Sequence, residues 1–151
     1  MFTLLFMIAI GVVMWLALRP TPERDAQAAQ SWANFHHYTA SNGWTLLHVQ
    51  SVYKHGNRGS KAHVSVYGDT TSTNRDSWFW WHQAQRGSVV AVRGLSQGWG
   101  PHTHRDDVLY IGNEFSHQDG VQAVFDAREL KRAQQHWSRH QGYLGGSSIA
   151  A

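Results

Sequence analysis

Between residues 44 and 126 the chain is a succession of short β-patterned segments separated by turns, never by a helical stretch. A parallel sheet needs a crossover of a dozen residues or more between neighbouring strands, usually a helix, so a doubly wound α/β fold is excluded. The segments are 44–55, 61–68, 77–85, 88–95, 107–115 and 121–126. Turns are expected at "GNRG" (56–59), in the polar run "DTTSTN" (69–74) and at "RG" (86–87), and a last hairpin at "SHQDG" (116–120). Alternation in the second segment sets Ala62, Val64 and Val66 on one face and His63, Ser65 and Tyr67 on the other. In "WFWWH", Trp78, Trp80 and His82 share one face and Phe79 and Trp81 the other, so both faces of that strand must meet apolar partners.

Helices are expected only at the two ends of this β region. Pro20 and Pro22 break the chain, and Thr21 precedes Pro22 at the first position of a helix over 22–37, which "TASNG" (39–43) ends. That helix either docks on the domain or lies on a lipid surface. The last helix carries the clearest local signal: Asp126 and Glu129 form a capping box, and Phe125 and Leu130 a hydrophobic staple. It is expected over 127–141, with Leu130, Ala133 and Trp137 on one stripe and Gly142 as its stop. The pattern predicts an α+β domain: a small, mainly antiparallel β sheet, bent into an OB-like or SH3-like partly closed barrel, buttressed by a C-terminal helix. A chain of 151 residues supports one such domain with a real core.

The first eighteen residues contain no charge and, as a helix, would reach about 27 Å, close to the hydrocarbon thickness of a bilayer. No basic n-region precedes them, and the small-residue stretch "DAQAA" (25–29) follows a hydrophobic run too long for a signal peptide. They read as an uncleaved, single-pass transmembrane helix. Arg19 and Arg24 follow the span and no Lys or Arg precedes it, so the positive-inside rule places residues 19–151 in the cytoplasm. The expected organisation is a membrane anchor (1–18), a juxtamembrane helix and linker (19–43), a β-rich domain with its C-terminal helix (44–142) and a loose tail (143–151).

Function is constrained mainly by exclusion. The chain has no cysteine, which removes disulfides, thiolate metal sites and cysteine nucleophiles. No G-x-S-x-G elbow or phosphate-binding glycine loop is present, and Asp106 and Asp107 beside Arg105 read as a salt-bridged turn. No reaction centre is legible, so a non-enzymatic role is the expectation, with an enzyme, as a metal-binding β-barrel, the alternative. His102 and His104 have His-x-His spacing and Asp106 continues their parity, a donor set suited to a divalent metal, with Glu114 on the next strand as a further carboxylate. Gly98, Gly100 and Pro101 mark that stretch as a loop, where parity means little, so no cofactor is expected and metal binding is the alternative. A second alternative is a membrane-tethered single-stranded nucleic-acid platform, with Trp78 and Trp80 flanked by Arg86 and Arg93. The net charge of +3 is spread over the residues after position 18 and suits solubility better, so nucleic acid is not the expected partner. The remaining class is an accessory or scaffold subunit of a membrane assembly. Its protein partner would be held by Trp78, Trp80, Arg93, Trp99 and Arg105, since Trp, Tyr and Arg dominate interface hot spots.

Overall fold

The computed structural model of the chain describes residues 21–97, 108–116 and 118–145; the expected span (1–18), the loop 98–107 and the end of the tail lie outside the described residues. Among the described residues no helix is long and apolar enough to cross a membrane.

Helix α1 (Pro22–Ser41) starts as read, with Thr21 in extended backbone and Pro22 in the first turn. It runs a full turn beyond residue 37, because its stop is a complete Schellman closure around Gly43. The Gly43 N–H bonds the Ala40 carbonyl and the Trp44 N–H bonds that of Thr39, while the Trp44 ring packs edge-on against Tyr38. Gly43 supplies the left-handed φ of +67°.

Seven strands then form one sheet: β1 (Thr45–Gly56), β2 (Gly59–Val66), β3 (Arg75–Trp80), β4 (Val89–Arg93), β5 (Leu95–Gln97), β6 (Leu109–Ile111) and β7 (Gly120–Phe125), in the order β5-β6-β3-β2-β1-β4-β7. With the helix α2 (Ala127–Gly145) the class is α+β. The sheet is mixed: every pairing is antiparallel except β3 with β6. The hairpin expected around residues 116–120 does not form. β7 instead pairs with β4, setting Phe125 opposite Val89, while β6, buried along its length, runs parallel to β3. The connection between β6 and β7 passes where their backbones touch: a Cβ on Gly120 would stand 3.0 Å from the Gly112 Cα.

Departures from regular strand bend the sheet. β1 carries irregularities between Val49 and Ser51 and between Val52 and Lys54, each adding local twist. The segment 88–95 is not one strand, because Gly94 (φ +71°) breaks it into β4 and β5. Arg93 pairs with Gly120 of β7 and Leu95 with Ile111 of β6, so two residues apart in sequence lie in distant strands of the order. The sheet therefore curls back toward itself. The segment 77–85 likewise ends early at Trp80, since Trp81 adopts a left-handed φ of +59°.

Inside the curl lie Leu47, Val49, Val64, Phe79, Val90, Val92 and Ile111, fully or nearly fully buried. Val66, on the same face as Val64 by alternation, sits at the end of β2 and is exposed. A second core fills the space between the sheet and the helices. Trp32 of α1 is its centre: the rings of Phe35, Tyr67, Phe125 and Trp137 lie 4.8–6.4 Å from it, and Val89, Leu130 and Ala133 complete the layer. Helix α1 is thus docked on the domain. The Asp126 carboxylate caps α2 through the Arg128 N–H at 2.7 Å, and Phe125 and Leu130 are both buried in this layer, as the staple requires. Gly142 does not stop α2, which continues to Gly145; a helical glycine costs only about 1 kcal/mol relative to alanine.

One ion pair ties the helices. Asp25, in the first turn of α1 and fully buried, accepts a bond from Arg139 Nη1 at 2.7 Å, while its Oδ1 has no partner among the described residues. Arg139→Ala should strand a buried carboxylate and cost about 1–3 kcal/mol, read as a lowered urea midpoint. Asp25→Asn in the same background should recover part of the loss, because a neutral amide tolerates burial better than an unpaired charge.

Segment 81–88 is braced rather than loose. The Ser60 hydroxyl donates to the His82 carbonyl and accepts from the Ala84 N–H, and Gln83 Nε2 donates to the Gly56 carbonyl at 2.7 Å. Burial holds the His82 imidazole below its ordinary value of 6.5. A depressed histidine is neutral when folded while the unfolded chain binds the proton, so stability falls as pH drops from 6.5 toward the lower folded value. Urea midpoints should therefore decline on mild acidification, and His82→Gln should flatten that decline.

Candidate functional site

The helices cover the outer side of β1, β4 and β7, where Leu46, Val89 and Phe125 point into their layer. Residues of β2, β3 and β6 that face away from the interior form a different surface, organised by strand register into cross-strand rows. Lys54 of β1 stands opposite Lys61 of β2, Lys61 opposite Trp78 of β3, and Trp78 opposite Tyr110 of β6. Beside it runs a second row, Ser51, His63 and Asp76. Trp80 lies next along β3, opposite Gly59.

Each row has its own chemistry. Like charges placed directly opposite one another in a sheet repel, and Lys54 and Lys61 are such a pair. Lys61 Nζ is drawn over the Trp78 ring, 5.1 Å from its centroid, and the cation–π attraction offsets part of that repulsion. The Trp78 and Trp80 rings meet edge to face at 5.1 Å. Trp80 and Tyr110 are buried and Trp78 is half-buried, and its indole N–H, itself buried, finds no acceptor among the described residues. In the polar row, Ser51 Oγ lies 3.0 Å from His63 Nδ1, the Tyr53 hydroxyl donates to the Asp76 carboxylate, and the Tyr53 ring lies 5.0 Å from that of His63. Serine, histidine and aspartate adjoin here, but the aspartate is engaged by a tyrosine on an exposed sheet face. That makes a surface polar ladder, not the water-excluded, pre-organised site that acyl transfer needs.

The residues expected to act together fall in three places. Trp78 and Trp80 are neighbours on the outer face of β3. Arg93 ends β4 instead, exposed, with Asp119 Oδ1 3.9 Å from its Nε. Trp99, Arg105 and the metal candidates His102, His104 and Asp106 lie outside the described residues. Glu114, the further carboxylate of that set, is paired with Arg58 at 2.8 Å. Among the described residues no three histidine, aspartate or glutamate side chains group as a metal would require. Lys54, Lys61 and Tyr53 carry no signal in the sequence that marks them as a group. Alternation marks Lys61 and His63 as outward, but it does not say which strand lies beside them.

Comparison with protein-family models, curated proteins and solved structures finds no match for this chain.

Proposed function

We propose that the chain is a membrane-anchored accessory or scaffold subunit that holds a protein partner against the outer face of β2, β3 and β6. The observation that carries this reading is Trp78. It is a large, half-buried ring on a strand, flanked by Trp80 and Tyr110, with the Lys61 ammonium over one face. A partner's apolar contact would cover the exposed part of the ring, as at interfaces anchored by tryptophan. Residues 1–18 would tether the domain in the bilayer, with the domain in the cytoplasm. The strand connectivity supports the OB-like form of the barrel: β1, β2 and β3 form a meander, β4 returns beside β1, and β6 runs parallel to β3. An all-antiparallel SH3-like arrangement has no such parallel pair.

One observation favours a second reading. In OB-like barrels the face of the second and third strands takes oligonucleotides, and here that face carries Lys54, Lys61 and Trp78. Against it, Lys61 already occupies one face of the indole on which a base would stack, and Asp76 places a carboxylate in the next row. The full chain extracted from membranes distinguishes the two. Trp78→Ala should cost about 1–2 kcal/mol, as a half-buried ring, yet abolish the co-purifying partner. Partner retention by the variant would count against this face, and tight single-strand binding that falls steeply with salt would favour the second reading.

A further inference from the structure

At the end of the sheet where β1 turns into β2, the most exposed large apolar side chain of the described residues projects into solvent: Phe115 is 91% exposed. Its segment is held from several sides. The Phe115 N–H bonds the Asn113 side chain at 2.9 Å, and a backbone bridge joins Asn113 to Ser116. The Trp81 indole N–H donates to the carbonyls of Asn113 and Glu114 at 3.2 and 3.1 Å, and Arg58 pairs with Glu114 at 2.8 Å. The Trp81 N–H in turn bonds the Arg58 carbonyl at 2.8 Å, and Trp81 takes a left-handed backbone that bulky side chains rarely adopt. Three separate stretches of chain are thereby locked together to present one phenylalanine and, beside it, a partly exposed tryptophan.

We propose that this tip, built on Phe115, Trp81 and Arg58, inserts into the headgroup layer of an anionic lipid bilayer and is the domain's second contact with the membrane. The choice of lipid follows from chemistry. Phenylalanine gains from the acyl boundary, tryptophan sits well at headgroup level with its N–H satisfied, and Lys54 and His55 end β1 beside the turn that carries Arg58, which is paired with Glu114. With the Arg58–Glu114 pair neutral, the positive charge of Lys54 beside this apolar point complements a negatively charged surface. Pre-ordering the segment removes the entropy loss that a flexible loop would suffer on insertion. The inference rests on the reading of residues 1–18 as a membrane span, which brings the domain to a bilayer, and it adds an orientation: this end of the sheet faces the lipid.

The test uses the full chain in vesicles of phosphatidylcholine mixed with phosphatidylglycerol. The protein has no cysteine, so Gln118→Cys and, in the 69–74 loop, Thr73→Cys each give a unique spin-label site. We expect the label at 118 to be several-fold more accessible to oxygen, relative to a water-soluble nickel complex, than the label at 73. Phe115→Ser, at an exposed position, should abolish that difference while the chain still floats with the vesicles. A water-like label at 118 on vesicle-bound protein would overturn the tip and leave the span intact. Failure of the chain to float at all, even at high salt, would overturn the span and the tip together.

Discussion

Gly59→Ala should leave the chain without its native sheet. Gly59 sits at φ +138°, and a Cβ there would overlap the backbone carbonyl oxygen of Phe79, with the Trp81 nitrogen also close. Neither neighbour is the end of a flexible side chain, so relief requires β2 and β3 to separate where Gly59 pairs with Trp80. We expect a loss beyond about 4 kcal/mol, which is comparable with the whole stability of many domains of this size. Gly43→Ala is the informative contrast. It has the same left-handed requirement (φ +67°) but nothing within 4 Å of the added carbon, so it should cost only about 1–2 kcal/mol of backbone strain. Urea unfolding of both variants separates crowding from conformation, and equal losses would mean that the close approach at Gly59 is not as described.

Trp32→Ala should be the most damaging single truncation in the helix layer, at about 3–5 kcal/mol. Its indole meets Phe35 at 5.6 Å and Tyr67 at 4.8 Å in tilted contacts, and Phe125 and Trp137 edge-on at 5.0 and 6.4 Å. One ring therefore joins α1, the end of β2, β7 and α2, and its loss removes the apolar contact by which α1 docks. Tyr38→Ala, at an exposed ring of the same helix, should cost far less. A loss below about 1 kcal/mol for Trp32→Ala, measured by thermal or urea unfolding, would show α1 undocked and would revive its placement on a lipid surface.

Signals confined to a few consecutive residues were the ones readable in advance. Pro22 after Thr21 starts α1, and the Phe125–Asp126–Leu130 constellation starts α2, because caps and staples act over one turn. Alternation sets Ala62 and Val64 on one face and His63 on the other, and the structure buries the first two and exposes the histidine. Pairing partners were not readable. Period-two alternation says which face a residue takes but not which strand it meets, so the short 109–111 segment looked like half of a local hairpin when it is a parallel neighbour of β3. Gly94 and Trp81 were invisible for a related reason: each breaks a strand through a left-handed φ that only the closing of the sheet requires. The candidate site shows the same division. Trp78 and Trp80 drew notice by composition, whereas Lys61 earns its place only through register and the 5.1 Å approach to the Trp78 ring.

The interior of the curl and the helix layer hold the fold, and the Lys54–Lys61–Trp78 row is the proposed partner face. The most direct test of that face is a photo-crosslinking amino acid placed at Lys54, and separately at the exposed Gln134 of α2, in the full chain in intact cells. We expect one dominant protein adduct from position 54, absent from position 134 and lost when Trp78→Ala is added. Adducts that are equal from both positions, or that persist without Trp78, would contradict it.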